Sequence, residues 1–229
     1  MSAGVATALA TQYMTAYHAA CEQINLHEGE HVLIHAAAGG VGIALVQLAK
    51  MKGCIVYGTC GSEAKMAFLK TIGVDFPINY TTENWVDAVH ELRGREGLDV
   101  VFDSLGGSSI PKGFKALGAG GRLVSYGAAT MSGERKSLFR VLKTAAGFGI
   151  YSPIQFLNGS KSFVGINMLR IADNRPLTIK RCLEAVIDLA EKGHISPHVG
   201  GIFSATDLAK AHHFLGSRSS IGKIICTIE

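Results

Sequence analysis

Short apolar runs alternate with amphipathic segments from residue 31 onward, and this alternation predicts the order of strands and helices. The six strand candidates are residues 31–36, 54–59, 76–79, 98–103, 120–126 and 162–166. The helix candidates between them are residues 41–52, 62–73, 82–93 and 107–117. Thr81 or Thr82 is placed to cap the third of these helices. Because the runs are nearly continuous in hydrophobicity, the pattern predicts an α/β fold with a doubly wound parallel sheet of six strands, in the order 3-2-1-4-5-6.

Residues 127–161 interrupt this alternation. They contain a glycine-bounded loop, a basic stretch and Pro153, and we interpret them as a mobile insertion that carries one amphipathic helix near residues 135–143. After the sixth strand, apolar residues recur at helical spacing from Ile179 to Ala190. This spacing predicts a long helix that ends near Gly193.

The two ends of the chain do not belong to the predicted sheet. An opening helix is expected over roughly residues 4–24, before the first strand. Two short strands, at about 199–203 and 223–228, and a helix at 205–216 follow the last long helix. We expect both ends to pack on a further element.

A glycine-rich turn joins the first strand to the first helix after it. The spacing is Ala37-x-Gly39-x-x-Gly42, a dinucleotide fingerprint with alanine in the first glycine position. Small residues at such a corner let backbone N–H groups approach a pyrophosphate, which then lies at the positive end of the helix. We therefore expect Gly39, Gly40, Val41 and Gly42 to bind a dinucleotide in a Rossmann fold. The alternative is a glycine-rich strand–helix corner in another α/β protein.

The end of the second strand bears on the choice between NAD(H) and NADP(H). An NAD(H) site usually places Asp or Glu there to accept from the ribose 2′-hydroxyl, whereas this chain has Cys60-Gly61-Ser62. Ser62 and Lys65 occupy the first turn of the next helix, where a lysine opposes the helix dipole unless an anion such as a 2′-phosphate lies nearby. We therefore expect NADP(H), with Ser62 and Lys65 as ligands. The alternative is that Glu63 binds the ribose and Lys65 is solvated.

Three further turns follow the fourth, fifth and sixth strands, at the edge where ligands bind in open parallel sheets. Leu105 lies in the first of these turns, which should lie on the nicotinamide ribose side. The Tyr126-Gly127 corner and the segment Gly165-Ile166-Asn167 should approach the nicotinamide from two sides. The alternative for each glycine is a turn residue with no ligand. Asp103 resembles a general base, but it ends a strand in a common structural motif.

Composition and charge argue against several other classes. Of 229 residues, 48% are hydrophobic, so the chain is globular, yet no apolar run reaches the length of a membrane span. Residues 1–49 contain no Lys or Arg, which argues against a secretory signal or a mitochondrial transit peptide, and we expect a cytoplasmic protein. The net charge of +4 includes no dense Lys/Arg cluster, so nucleic-acid binding is not indicated. The five cysteines form no Cys-x-x-Cys pair or Cys/His cluster, and we expect no metal site.

Taken together, several segments resemble the zinc-independent quinone oxidoreductases of the medium-chain dehydrogenase/reductase superfamily. The nearest branch is that of vesicle amine transport protein 1, with polyketide-type enoyl reductases close by. The resemblance extends over nearly the whole chain. Besides the fingerprint, the segments are Leu9–His18, Gly58–Lys65, Ile78–Tyr80, Asp99–Gly107, Gly121–Gly127 and Ser217–Ile225, and Gly133–Phe139 favours the vesicle-protein branch.

The resemblance implies a reaction and one more ligand. Members of this family transfer a hydride from NADPH to a quinone or to an activated C=C bond, without zinc. Tyr80 ends the third strand, where the family places a residue against the adenosine phosphate. Two other functions stay open: a non-catalytic NADPH-binding or interaction protein, and an enoyl reductase that acts on carrier-bound acyl thioesters.

The resemblance also implies a domain that is missing from this chain. Family members carry a β-rich, GroES-like catalytic domain before the position of Met1, and groups from that domain line the substrate pocket, so we name no catalytic residue. We divide the chain into a junction helix (1–25), an NADP-binding Rossmann domain (26–195) and a C-terminal remnant of the catalytic domain (196–229). Family members pair their sixth strand across a two-fold axis, so we expect a homodimer through the edge strand 162–166.

Overall fold

A six-stranded parallel sheet forms the centre of the molecule. The computed structural model describes residues 1–127 and 146–228. The strands are β1 (His31–Ile34), β2 (Ile55–Cys60), β3 (Phe76–Asn79), β4 (Leu98–Asp103), β5 (Leu117–Ser125) and β6 (Ser162–Gly165). Their order is β3-β2-β1-β4-β5-β6, with every pair parallel. The predicted fold class and strand order are therefore confirmed, and β6 is an edge strand.

Helices cover both faces of the sheet. The opening helix, α1, is composed of α-helical turns at Ala3–Ala8 and Met14–Tyr17 and wider π-helical turns at Leu9–Tyr13 and His18–Gln23. The other helices in the described ranges are α2 (Gly40–Met51), α3 (Glu63–Thr71), α4 (Trp85–Arg93), α5 (Ser109–Ala116), α6 (Pro153–Gly159), α7 (Met168–Asn174), α8 (Pro176–Glu191) and α9 (Leu208–Gly216). The helix predicted near residues 135–143 lies outside the described residues. None of the described helices is both long and apolar enough to cross a bilayer.

Alternate residues of the central strands supply two separate hydrophobic clusters. Val32 and Ile34 of β1 belong to the cluster that contains α1, α2 and Val186 of α8. Leu33 points to the other face and packs in the cluster that includes Trp85 of α4 and Ile110 of α5. Full burial of such a side chain stabilises the fold by about 1.5–3 kcal/mol. This two-sided burial explains why the strand runs are almost continuously apolar.

One local prediction is wrong, and one helix was not predicted. The cap of α4 is Asn84, whose side chain accepts from Val86 N at 3.1 Å, because Thr81 and Thr82 both bond to Asn79 instead. Residues 153–159, at the end of the segment interpreted as a mobile insertion, form a helix that the sequence did not predict. Pro153 begins α6, and Ser152 caps it with Gln155 in a capping box, so the proline starts a helix instead of breaking one.

The two ends of the chain pack on each other. The last strands, β7 (Val199–Ser204) and β8 (Lys223–Thr227), form a separate two-stranded parallel sheet. The first turn of α1 packs against this sheet so closely that a Cβ atom on Gly4 would lie 2.8 Å from Cδ1 of Ile225. Further along α1, the Tyr13 hydroxyl lies within hydrogen-bond distance of Gln47 on α2 and of the Ser196 carbonyl, and Gln47 exchanges two hydrogen bonds of 2.9 Å with the backbone of Ser196. We expected each end of the chain to pack on a further element, and part of that element is the other end of the chain.

Candidate functional site: the carboxyl edge of the sheet

Backbone hydrogen bonds stabilise the glycine-rich turn between β1 and α2, which we call the glycine corner (residues 36–43). Gly39 N donates to the carbonyl of Ala36 at 2.9 Å, and Ile43 N donates to the carbonyl of Gly39 at 2.8 Å. A Cβ atom on Gly42 would collide with the Ala36 carbonyl oxygen and with the backbone of Ala37. Glycine is therefore required at position 42 for the helix to start this close to the strand, as the fingerprint predicts.

Two groups from distant parts of the chain lie against this corner. The side-chain amide of Gln12, on α1, occupies the space beside Gly40 into which a Cβ atom would project. Gly222, just before β8, forms a β-bridge with Gly39, and its N–H donates to the carbonyl of Ala38 at 2.9 Å. A phosphate at this corner would meet the side chain of Gln12, whose amide N–H groups are donors.

The three residues that are predicted to bind the adenosine side of the cofactor, Ser62, Lys65 and Tyr80, lie near the end of β2. Ser62 caps α3, and its hydroxyl accepts from Lys65 N at 3.3 Å. The hydroxyl of Tyr80 lies against Gly61, 2.5 Å from where a Cβ atom would stand. Lys65 Nζ donates to the backbone carbonyl of Arg218 at 2.6 Å. Burial lowers the pKa of Lys65, and in the described part of the chain the ammonium group forms no ion pair with a carboxylate.

The acidic residue that would serve NAD(H) has another partner. Glu63 Oε1 accepts from Asn79 Nδ2 at 2.8 Å, so the carboxylate is directed to the end of β3. The bond occupies one carboxylate oxygen of Glu63, and the assignments of Glu63 to a ribose and of Ser62 and Lys65 to an anion both stay predictions.

The three turns that are predicted to contact the nicotinamide lie at one level of the sheet. In the register, Asp103 pairs with Ser125, and Ser125 pairs with Gly165. The residues that follow these positions are therefore neighbours at the carboxyl edge: Leu105, Tyr126, Gly127, Ile166 and Asn167. A Cβ atom on Gly127 would lie 3.0 Å from the carbonyl oxygen of Ser104, so the first two turns touch. Burial raises the pKa of the Tyr126 phenol, which is protonated at neutral pH.

Asp103 has a structural role at this edge. Its Oδ1 accepts from Leu105 N at 2.8 Å and from Gly106 N at 2.7 Å, which fixes the turn after β4. Its Oδ2 faces His35 Nε2 at 4.0 Å, and both side chains are buried. Burial lowers the pKa of His35, against the opposing effect of the carboxylate, so the imidazole is neutral at physiological pH.

The comparisons with known proteins place the chain in a family. Residues 40–181 match the family model described as zinc-binding dehydrogenase. The chain belongs to this family. The predicted resemblance to the zinc-independent branch that contains vesicle amine transport protein 1 is confirmed.

Individual relatives agree with this assignment. The synaptic vesicle membrane protein VAT-1 homolog of Danio rerio is 37% identical over 232 residues, covering all of this chain and 47% of that protein. The CurK enoyl reductase superimposes with a TM-score of 0.82 at 26% identity, covering all of this chain and 64% of that one. The human VAT-1 homolog-like protein superimposes with a TM-score of 0.80 at 27% identity, covering all of this chain and 63% of that one. The chain thus spans about half the length of the curated relative.

Within residues 1–127 and 146–228, one group of three potential metal ligands is close enough to hold an ion: His18, Glu22 and Cys182. It joins α1 to α8, and His18 lies six residues beyond Gln12, roughly 9 Å further along α1. The sequence spacing did not show this group, because Cys182 is 160 residues from its nearest partner, Glu22.

Sequence reasoning missed three groups at the edge itself: Gln12, Arg218 and Gly222. Each reaches the site through the packing of the chain ends. Gly222 and Arg218 belong to the segment Ser217–Ile225 that carried part of the family resemblance. That resemblance was the available signal, because no local periodicity connects residue 222 with residue 39.

Proposed function

We propose that this chain binds NADP(H) at the carboxyl edge of its sheet and supplies the cofactor-binding part of a zinc-independent reductase of quinones or enones. The observation that carries the proposal is the glycine corner, where Gly42 brings the start of α2 against the Ala36 carbonyl. A helix start of this kind presents unpaired backbone N–H groups to a pyrophosphate. Gly39, Gly40, Val41 and Gly42 would bind it.

The preference for NADP(H) is supported by the residues at the end of β2. Lys65 and Ser62 lie at the first turn of α3, and Tyr80 lies against Gly61. Glu63 is bonded to Asn79. A 2′-phosphate would give Lys65 an anionic partner, which is stronger than the carbonyl it now contacts.

The remaining residues would position the nicotinamide. The bound cofactor supplies a hydride for an activated C=C bond or a quinone. Leu105, Tyr126, Gly127, Gly165, Ile166 and Asn167 would form the wall against which it is oriented and kept from water. We propose no catalytic residue in this chain.

A second candidate is an enoyl reductase that acts on acyl thioesters. It is favoured by the similarity to the CurK enoyl reductase over the full chain. A cytoplasmic location and a homodimer through β6 belong to the same proposal.

The test is NADPH consumption by the purified chain, followed by absorbance, with three substrate classes: a quinone, an enone and an enoyl thioester. Fluorescence of bound NADPH is measured first, so that binding and turnover are separated. Oxidation with a quinone or an enone supports the proposal, and oxidation confined to the thioester supports the second candidate. Binding without oxidation of any substrate, both by the chain alone and after the GroES-like domain of a family member is joined to its start, would contradict both and leave a nucleotide-binding protein.

A further inference from the structure

Three potential metal ligands converge between α1 and α8. His18 and Glu22 lie one turn apart on α1, and Cys182 faces them from α8. The distance from His18 Nδ1 to Glu22 Oε2 is 3.4 Å, and from His18 Nδ1 to Cys182 Sγ it is 3.8 Å. All three ligand atoms lie within 4.8 Å of one another. His18 and Cys182 are almost fully buried, with exposures of 4% and 0%.

These separations match the edges of a tetrahedral site. Zinc bonds of about 2.0–2.3 Å at tetrahedral angles put ligand atoms roughly 3.3–3.8 Å apart. Both measured distances from His18 Nδ1 are within that range. The third edge, between a Glu22 carboxylate oxygen and Cys182 Sγ, is at most 4.8 Å, so adjustment of the Glu22 side chain brings all three ligands onto one ion.

The neighbouring side chains complete the arrangement. Gln23 Nε2 lies 3.3 Å from His18 Nε2. When the Gln23 amide turns over so that its oxygen faces the imidazole, it accepts the Nε2 proton and leaves Nδ1 free to bind a metal. Arg181 holds both oxygens of Glu22 at 2.6 and 2.7 Å. A carboxylate oxygen has two lone pairs, so Glu22 can retain Arg181 and still bind a metal.

We propose that His18 Nδ1, Glu22 Oε2 and Cys182 Sγ form a binding site for a divalent transition-metal ion of the zinc class. An imidazole, a carboxylate and a thiolate are the ligand types that zinc takes, whereas magnesium and calcium prefer oxygen alone. When the ion binds, the thiol proton of Cys182 is released to water. The bound set of Zn²⁺, one thiolate and one carboxylate has no net charge, which suits a buried position.

The fourth coordination position would face solvent. A cavity of about 560 Å³ adjoins the group and is lined by residues that include His18, Glu22, Arg175 and Thr178. Water from this cavity can complete the tetrahedron. Because the site ties α1 to α8 away from the glycine corner, we assign it a structural role that is independent of the cofactor.

Cobalt is the probe for the test, since Co²⁺ takes zinc sites and a cobalt–thiolate bond gives a charge-transfer band in the near ultraviolet. The metal-free chain is titrated with Co²⁺ and then with Zn²⁺, in the wild type, in Cys182→Ser and in Cys226→Ser. Cys226 is an exposed cysteine outside the group and provides the matched control. We expect the band to saturate at one equivalent in the wild type and the control, to be lost on adding Zn²⁺, and to be absent in Cys182→Ser.

Circular dichroism shows whether Cys182→Ser folds. If it does not, a second variant keeps the test valid. Gln23→Leu leaves all three ligands and removes the group that orients His18, and we expect it to weaken Zn²⁺ binding by about tenfold. Zn²⁺ should also raise the thermal midpoint of the wild type, because an ion that binds only the folded chain stabilises it. No thiolate band in the wild type, or a band that persists in a folded Cys182→Ser variant, would overturn the proposal.

Discussion

Lys65 Nζ donates a hydrogen bond of 2.6 Å to the backbone carbonyl of Arg218. This bond connects the first turn of α3 with the segment that leads into β8. Four residues further on, Gly222 bridges to Gly39 at the glycine corner. The C-terminal segment therefore touches both the proposed pyrophosphate site and the proposed 2′-phosphate site. Arg218 adopts a left-handed conformation, with φ of 59°, which presents its carbonyl to the lysine.

Lys65→Ala tests the proposed phosphate ligand. We expect NADPH affinity to fall by about tenfold or more, since a charge-assisted hydrogen bond contributes about 1.5–3 kcal/mol. NADH affinity should change little, because NADH lacks the 2′-phosphate. Isothermal titration calorimetry with both nucleotides measures this, and Lys70→Ala, on the last turn of the same helix, is the control. An equal loss of affinity for NADPH and NADH would show that Lys65 does not bind the 2′-phosphate.

Two alanine substitutions at the glycine corner should reduce the free energy of unfolding by different amounts. Gly42→Ala places a methyl group against the backbone of Ala36 and Ala37, which cannot move, so we expect a loss of about 1–3 kcal/mol in the free energy of unfolding. Gly40→Ala meets only the side chain of Gln12, which can turn away, so the change should stay below about 1 kcal/mol. Urea denaturation of both variants decides this. Equal stabilities would mean that the corner is less tightly packed than described.

The buried His35 predicts a pH dependence of stability. Burial lowers its pKa in the folded state, so below about pH 6.5 the unfolded chain binds a proton that the folded chain does not. The free energy of unfolding should therefore decrease as the pH falls below about 6.5, by up to about 1.4 kcal/mol per pH unit for this group. His35→Asn keeps a polar partner for Thr59 and should reduce the slope by one proton.

Urea denaturation at several pH values between about 5 and 8 measures that slope. His212→Asn, at an exposed position on α9, is the control. A slope that is unchanged in His35→Asn would show that His35 is not the group responsible.

The free edge of β6 predicts how copies of the chain associate. Ile166 N donates inward to the carbonyl of Ser125 at 2.8 Å, so by alternation the N–H of Phe163 points outward. Phe163→Pro removes this outward donor and leaves the bonds to β5 intact. Sedimentation velocity should show a dimer for the wild type and for Phe163→Tyr, and a monomer for Phe163→Pro. A dimer that survives the proline would place the interface on another surface.

The sequence predicted the sheet because its signals are local and repeated. The central strands β1, β2 and β4 are short apolar runs with both faces buried, and β1 is followed directly by the glycine fingerprint. Short-range competition explains the local errors. Thr81 and Thr82 are residue types that often cap helices. Here their hydroxyls donate to the side chain and the carbonyl of Asn79 instead, and the helix begins at Trp85.

Contacts between the chain ends and the sheet could not be predicted in the same way. Gln12 reaches Gly40, and Arg218 reaches Lys65, only after α1 and the β7–β8 sheet have packed together. The grouping of His18 with Cys182 likewise depends on how α1 lies on α8. No periodicity or spacing in the sequence records such tertiary contacts.

The central claim is that this edge binds a phosphorylated dinucleotide, and titration of the wild-type chain with NADPH and, separately, with NADH tests it most directly. We predict saturable binding of NADPH at one equivalent, with an affinity at least about tenfold higher than that for NADH, because the 2′-phosphate adds charge-assisted hydrogen bonds. Equal affinities for the two nucleotides, or no binding of either, would contradict the account.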